Sequence, residues 1–154
     1  MRNFNEADRK KKNKRIRIQE NPGNLSKEVL SELEDTVKVS LQDGYLPCPV
    51  AWKIAKETNV PKVVIGEITD RLGIRITNCQ IGCFKIEKTP YDNSVPENID
   101  GEIITMLETL KENNQLTCAK VFALARQFKL KPMVIVNEAN VRGLKIHGCQ
   151  LGCF

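Results

Sequence analysis

The apolar residues in the first third of this chain recur with helical spacing. Ser26 is suited to cap a helix that extends to about Gln42, because a serine hydroxyl accepts a hydrogen bond from the first helical turn. Asp43 and Gly44 would end this helix. Its apolar face is predicted to be formed by Val29, Leu33, Val37 and Leu41.

Two further helices and a turn are predicted after the first one. Proline favours the first helical turn, so a second helix is expected from Pro47 to about Thr58. A third helix from Lys62 to Leu72 would stop at Gly73, since glycine is a favoured C-terminal cap. One or two short strands with a tight turn are predicted from Ile74, Ile76 and Cys79-Gln80-Ile81-Gly82-Cys83-Phe84.

The same pattern occurs again 70 residues later, with no gap. This offset aligns Ala55 with Ala125 and residues 79–84 with residues 149–154, which have the sequence Cys-Gln-Leu-Gly-Cys-Phe. Self-similarity at a fixed offset indicates a duplicated unit. We therefore expect a mainly α-helical protein with short β wings, divided into a flexible basic arm (1–24), a first repeat (25–84), a linker (85–95) and a second repeat (96–154).

The net charge of +5 arises in the arm. Residues 1–20 contain eight basic and three acidic side chains, whereas the rest of the chain contains 16 of each. A segment so poor in apolar residues cannot offset the entropy of ordering, so it is expected to be flexible. It could be a solvated tail, or it could contact the phosphates of nucleic acid through Arg9, Lys10, Lys11, Lys12, Lys14, Arg15 and Arg17.

Other classes of protein are disfavoured by what the sequence lacks. No apolar run is long enough to span a membrane, and the N-terminus lacks the apolar segment of a secretory signal, so we expect a cytoplasmic protein with no membrane partner. There is no glycine-rich phosphate loop, no nucleophile elbow and no histidine shared between the repeats. We therefore expect no catalytic residues and no enzymatic activity.

The order of three helices followed by strands resembles the winged helix-turn-helix family. The residues that carry the resemblance are Ala55, Val60 and Ile65 in the first repeat, and Ala125, Leu130 and Ile135 in the second. In that family a small residue in the second helix lets the third helix cross closely. The second repeat departs from the pattern at the turn, where Lys129 replaces the usual glycine or asparagine and predicts local strain.

The resemblance implies binding of duplex DNA by exposed residues of each third helix. In the first repeat these are expected to be Lys62, Glu67, Thr69, Asp70 and Arg71. In the second they are Asn137, Asn140 and Arg142, and asparagine can pair with adenine edges. The candidate DNA contacts of the folded part are therefore Lys62, Arg71, Asn137, Asn140 and Arg142. Neither helix, taken alone, has a strongly basic composition.

An alternative function is that of a non-catalytic adaptor. Winged helices also serve as protein-interaction modules, so fold alone does not decide the function. Met133, Val136 and Val141 on the third helix of the second repeat are apolar, and they indicate either a buried surface or a partner-facing one. The partner would then be another protein or a second copy of this chain.

The six cysteines form two equivalent sets, Cys48, Cys79 and Cys83, and Cys118, Cys149 and Cys153. Cysteine often packs as a small buried hydrophobe, and this interpretation is the strongest competitor of any functional one. If the three thiolates of a repeat converged, they could supply ligands for zinc or for an iron–sulfur cluster, or act as a redox switch. Ligation or oxidation would then tie the wing to the second helix. The repeated polar residues Gln80 and Gln150 suggest a required hydrogen bond or turn.

Overall fold

The computed structural model describes residues 6, 10, 21–83 and 100–154 of the chain. The chain folds into two compact units. Unit 1 comprises the described residues up to Cys79 together with Leu151–Cys153, and unit 2 runs from Gln80 to Gln150 and includes Phe154. Leu151–Cys153 of the predicted second repeat thus belong to unit 1, and residues 80–83 of the predicted first repeat belong to unit 2. The predicted linker at residues 85–95 lies outside the described residues.

From residue 21 onward, the described part of unit 1 contains a 3-10 turn at Pro22–Asn24, followed by three α-helices and two short strands. The elements follow one another in the order α1 (Lys27–Val39), β1 (Tyr45–Pro47), α2 (Cys48–Glu57), α3 (Lys62–Leu72) and β2 (Arg75–Thr77). The predicted third helix and its glycine cap are confirmed, since Gly73 follows α3 in the left-handed conformation with φ 72°.

Helix α1 begins where the sequence predicts and ends three residues early. The Ser26 hydroxyl accepts a hydrogen bond from the Val29 N–H at 3.3 Å, which confirms the cap. The helix stops at Val39 because the backbone of Gln42 exchanges two hydrogen bonds with Tyr45, at 2.8 and 2.9 Å. The predicted burial of Leu33 and Val37 is confirmed, whereas Val29 is 40% exposed and Leu30 is buried in its place.

Strands β1 and β2 pair in parallel. Along the chain, β1 precedes α2 and β2 follows α3. Leu46 of β1 lies opposite Ile76 of β2 in the register. The prediction of a strand pair after the third helix is corrected here, because the partner of β2 precedes α2. Residues 80–83 form turns rather than strands. Left-handed backbone at Asn78 (φ 51°) and Gly82 (φ 70°) interrupts the extended conformation that a strand needs.

Unit 2 contains three α-helices in its described part. They are α4 (Gly101–Glu112), α5 (Cys118–Gln127) and α6 (Pro132–Val141). Helix α4 is capped by Asp100, whose carboxylate accepts the Glu102 N–H at 3.0 Å, and so its described part begins later than the predicted start near Pro96. A single parallel bridge between Thr117 and His147 stands where unit 1 has its sheet.

The cores of the two units use matching positions of the duplicated sequence. Fully buried residues of unit 1 recur 70 positions later as fully buried residues of unit 2, in the pairs Leu33 and Ile103, Val37 and Leu107, Leu46 and Leu116, and Ile65 and Ile135. Close packing of these side chains is what holds each small unit together. The duplication predicted from the sequence therefore extends to the packing of the described residues.

Candidate functional site

The corner between α2 and α3 positions the third helix of unit 1. Ala55 is buried, and its carbonyl accepts the Val60 N–H at 3.0 Å. Asn59 adopts the left-handed conformation with φ 54°, which asparagine tolerates better than most residues. Ile65 is fully buried and fixes α3 in the core. A small residue, a left-handed turn and a buried anchor thus occur at the predicted positions.

The corner between α5 and α6 has the same geometry in unit 2. Ala125 is buried, and its carbonyl accepts the Leu130 N–H at 2.8 Å. Lys129 adopts φ 53° at the turn, a conformation that is unfavourable for a lysine. The left-handed turn is therefore present at the position of Lys129, and the strain of lysine there stays a prediction. Ile135 is fully buried, as Ile65 is in unit 1.

The face of α3 that was predicted to contact DNA is largely covered. Thr69 is 0% and Asp70 7% exposed, so the prediction that both are exposed is wrong. The Thr69 hydroxyl donates to the Gly66 carbonyl at 2.7 Å instead. A Cβ atom on Gly66 would collide with the carbonyl oxygen of Leu151. The backbone of Leu151–Cys153 therefore lies directly on α3, and a segment so distant in the sequence could not be foreseen from helical periodicity.

Both candidate DNA-binding cations of α3 have partners within unit 1. The Lys62 ammonium lies 3.6 Å from the centroid of the Trp52 ring, which is a cation–π arrangement. Arg71 Nε lies 3.1 Å from Glu34 Oε1. Partly exposed pairs of this kind contribute about 0–1 kcal/mol, so they could be exchanged for phosphates at small cost. The Glu34 carboxylate nevertheless neutralises the charge of Arg71, whereas the uncharged Trp52 ring leaves the charge of Lys62 in place.

Glu67 adds negative charge to the part of α3 that remains accessible. Burial raises the pKa of the Glu67 carboxyl, and the neighbouring Asp70 carboxylate raises it further. The second effect indicates that the two carboxyl groups lie close enough to repel each other. This face of α3 is therefore unsuited to a phosphate backbone.

Helix α6 is more accessible than α3. Asn140 is exposed and Asn137 is half-buried, and both lie on the same side of the helix as Met133. Arg142 is engaged by Glu138, with 2.8 Å between Nε and Oε1. The two amides thus remain candidates for contacts with bases, whereas Arg142 forms an ion pair on its own helix.

The apolar residues of α6 do not form one surface. Val136 is buried in unit 2, whereas Val141 is 84% exposed. Met133 is half-buried. Val136 therefore belongs to the core of unit 2, whereas Val141 is accessible to solvent or to a partner.

Only one of the basic arm residues falls in the described part of the chain. Lys10 is exposed and helical, and its ammonium lies 3.2 Å from Glu6 Oε1 in an (i, i+4) pair. The predicted contacts Arg9, Lys11, Lys12, Lys14, Arg15 and Arg17 lie outside the described residues. Phe84 of the first cysteine segment lies outside them as well.

The six cysteines, none of which forms a disulfide, differ in burial. Cys48, Cys79 and Cys118 are buried, Cys149 and Cys153 are intermediate, and Cys83 is exposed. Among the described residues, no three His, Cys, Asp or Glu side chains lie close enough together to hold a metal ion. The metal site therefore gains no support and stays a prediction. Cys83 is assigned to unit 2, whereas Cys48 and Cys79 are assigned to unit 1.

The glutamine of the second cysteine segment forms a hydrogen bond, as its repetition suggested. Gln150 Nε2 donates to the Cys118 sulfur at 3.6 Å, and Cys118 is the first residue of α5. The Cys149 N–H donates to the Phe154 carbonyl at 3.0 Å, and this hydrogen bond joins the two ends of the segment 149–154. The glutamine therefore fastens the cysteine segment to the start of the second helix of unit 2.

A group of cations around the α5–α6 corner was not anticipated from the sequence. Arg126, Lys129 and Lys131 are all exposed there. The signal was available, because residues 113–137 contain four basic residues and no acidic one. These cations precede α6, so they lie outside the third helix, where the resemblance places the DNA contacts.

No described helix has both the length and the apolar character needed to cross a membrane. Comparison with protein-family models, with curated proteins and with solved structures finds no match to this chain.

Proposed function

We propose that this protein is a non-catalytic, transcription-regulatory DNA-binding protein made of two winged-helix-like repeats. The observation that carries the proposal is the corner geometry shared by the two units. In each, a left-handed residue at the turn and a hydrogen bond to a buried alanine carbonyl set a third helix across a second one. Helix pairs of this kind present the third helix to the major groove of DNA.

The chemistry of the accessible part of α6 supports the same function. Asn137 and Asn140 carry amides that can donate to and accept from an adenine edge. The basic residues of the arm would supply contacts with phosphates, which provide most of the affinity of such proteins. In this proposal base contacts select the site, and phosphate contacts hold the protein on it.

The test is titration of a labelled DNA duplex, with fluorescence anisotropy as the readout. If six or more phosphates are contacted, affinity should fall by about 10³-fold or more between 50 and 200 mM salt. Removal of residues 1–20 should weaken binding and lower the slope against salt. Absence of binding to any duplex at 50 mM salt would refute the proposed function.

One observation favours the alternative function of a protein-interaction adaptor. Val141 is 84% exposed at the end of α6, where a DNA contact does not need an apolar side chain. An adaptor that associates with itself would form a stable oligomer at micromolar concentration and would not bind duplex DNA. Light scattering on the full chain, together with the anisotropy titration, separates the two functions.

We do not extend the proposal to a metal centre. Elemental analysis of protein purified without oxygen should give less than one zinc or iron per chain. A thiol titration of the folded protein should find Cys83 reactive and the three buried thiols protected, since only exposed thiols react readily.

A further inference from the structure

We propose that unit 2 alone supplies the DNA-contacting surface of the folded part, and that unit 1 does not contact DNA. The inference rests on the proposed function and assigns it to one of the two repeats. The surface consists of Arg126, Lys129 and Lys131, called here the cationic corner, followed by Asn137 and Asn140 on α6.

The first argument is the distribution of charge over equivalent segments. Residues 113–137, which run from the end of α4 into α6, contain four basic residues and no acidic one. The equivalent residues 43–67 of unit 1 contain three basic and three acidic residues. The equivalent segments of the two repeats thus carry net charges of +4 in unit 2 and zero in unit 1. Phosphate binding requires positive charge.

The second argument is the position of the cationic corner relative to the third helix. Arg126 lies in the last turn of α5, Lys129 occupies the left-handed turn position, and Lys131 caps α6. All three side chains are exposed. When a third helix enters the major groove, its N-terminal end and the preceding turn approach the DNA backbone. The three cations are therefore located where phosphates would be met.

The third argument is what the third helices present beyond the corner. The accessible face of α6 continues with Met133, Asn137 and Asn140, at helical positions i, i+4 and i+7. The equivalent positions of α3 are Val63, Glu67 and Asp70. Two amides in unit 2 thus correspond to two carboxylates in unit 1, and carboxylates repel phosphates.

The fourth argument is that part of α3 is covered. The Leu151 backbone lies on Gly66, and a Cβ on Gly152 would lie 3.9 Å from a Val63 methyl group. The same C-terminal residues therefore occupy the side of α3 that a groove would have to accept. This packing leaves only part of that side of α3 accessible, including Val63, which is 43% exposed.

The test compares two triple variants that remove equal charge from the two repeats. The first replaces the cationic corner by Arg126→Gln, Lys129→Asn and Lys131→Gln. The matched control removes every basic residue of the equivalent segment of unit 1 by Lys53→Gln, Lys56→Gln and Lys62→Gln. Lys129→Asn restores the residue that unit 1 has at this position, Asn59, and so keeps the left-handed turn.

Anisotropy titrations of the full chain with one duplex, over 50–200 mM salt, give the outcomes. We expect the cationic-corner variant to bind at least about 30-fold more weakly at 100 mM salt, with a salt slope lower by about 2–3. The control should stay within about threefold of the wild type. A charge-preserving variant, Arg126→Lys with Lys131→Arg, should retain binding. That result would show that the loss in the triple variant comes from the removed charge and not from misfolding.

Several outcomes would overturn the inference, and they differ from failure of the proposed function. Equal losses in the two triple variants would mean that both repeats contact DNA. A loss only on removal of residues 1–20 would assign binding to the arm. If poly-glutamate displaced the labelled duplex as well as unlabelled DNA of the same total charge does, the partner would be an acidic protein instead of DNA. Wild-type protein that binds no duplex would refute the proposed function itself.

Discussion

The contact between Gly66 and Leu151 predicts that a substitution which normally stabilises a helix will destabilise this protein. Gly66 lies in the interior of α3, where alanine would be favoured over glycine by about 0.5–1 kcal/mol. The added methyl group would collide with the Leu151 carbonyl oxygen and lie 2.8 Å from the carbonyl carbon. Backbone atoms cannot rotate away as a flexible side chain can, so Leu151–Cys153 would have to leave α3.

The magnitude follows from the burial of Leu151. This side chain is 1% exposed, and exposing a buried leucine costs about 1.5–3 kcal/mol. After subtraction of the gain in helix propensity, Gly66→Ala should destabilise unit 1 by about 1–2 kcal/mol. For a chain of this length each kcal/mol lowers the melting temperature by about 2–4 °C.

Urea denaturation followed by tryptophan fluorescence measures this effect in unit 1, because the only tryptophan, Trp52, lies in α2. The matched control is Gly101→Ala, followed by circular dichroism because α4 belongs to unit 2. Gly101 begins α4 with open space around it, so this change should be neutral or stabilising. Leu151→Ala should cost a similar amount, and its combination with Gly66→Ala should be less than additive. A Gly66→Ala variant as stable as the wild type would refute the contact.

Three further predictions concern the turn, the glutamine and the acidic face. Lys129→Gly should stabilise unit 2 by about 0.5–1 kcal/mol in thermal unfolding, because glycine accepts the left-handed conformation, whereas Asn59→Gly should change stability by less than about 0.5 kcal/mol. Gln150→Leu should cost about 0.5–1.5 kcal/mol in urea denaturation, because it removes the hydrogen bond to Cys118. Since the pKa of Glu67 is raised on folding, the folded state holds its proton at higher pH than the unfolded state does, and stability should fall as pH rises from about 4.5 to 7. Glu67→Gln should make that fall shallower and increase stability at pH 7.

Each of these predictions has an outcome that contradicts it. An equal gain from glycine at both turn positions would mean that lysine is not strained there. An unchanged urea midpoint for Gln150→Leu would make the sulfur contact energetically neutral. A Glu67→Gln variant with the same pH dependence as the wild type would show that this carboxyl is solvated in the folded protein.

The helices and their ends were largely predictable because local interactions determine them. Ser26 and Gly73 mark helix boundaries through a side-chain cap and a left-handed residue, and these signals act within a few residues of the chain. The duplicated core was predictable as well, since matching apolar positions recur at the fixed offset. The corner residues Ala55 and Ala125 followed from the resemblance, and both are buried.

The parallel pairing and the covering of α3 could not be predicted from local pattern. Leu46 pairs with Ile76 across two helices, and nothing in the sequence near either strand specifies its partner. Likewise, Thr69 and Asp70 have the polar character of exposed residues, yet both are buried on a helix that also carries the Leu151 contact. The cationic corner is different, because its charge was visible in the sequence and only its exposure required the fold.

The position of Leu151–Cys153 on α3 also bears on how the protein is made. Gly66 and Leu151 are 85 positions apart in the chain, so this contact can close only after the residues up to Leu151 have left the ribosome. At about 5–20 residues per second, α3 would wait several seconds in the nascent chain with its side uncovered. During that interval its apolar surface is open to chaperones and to misassembly between neighbouring polysomal chains.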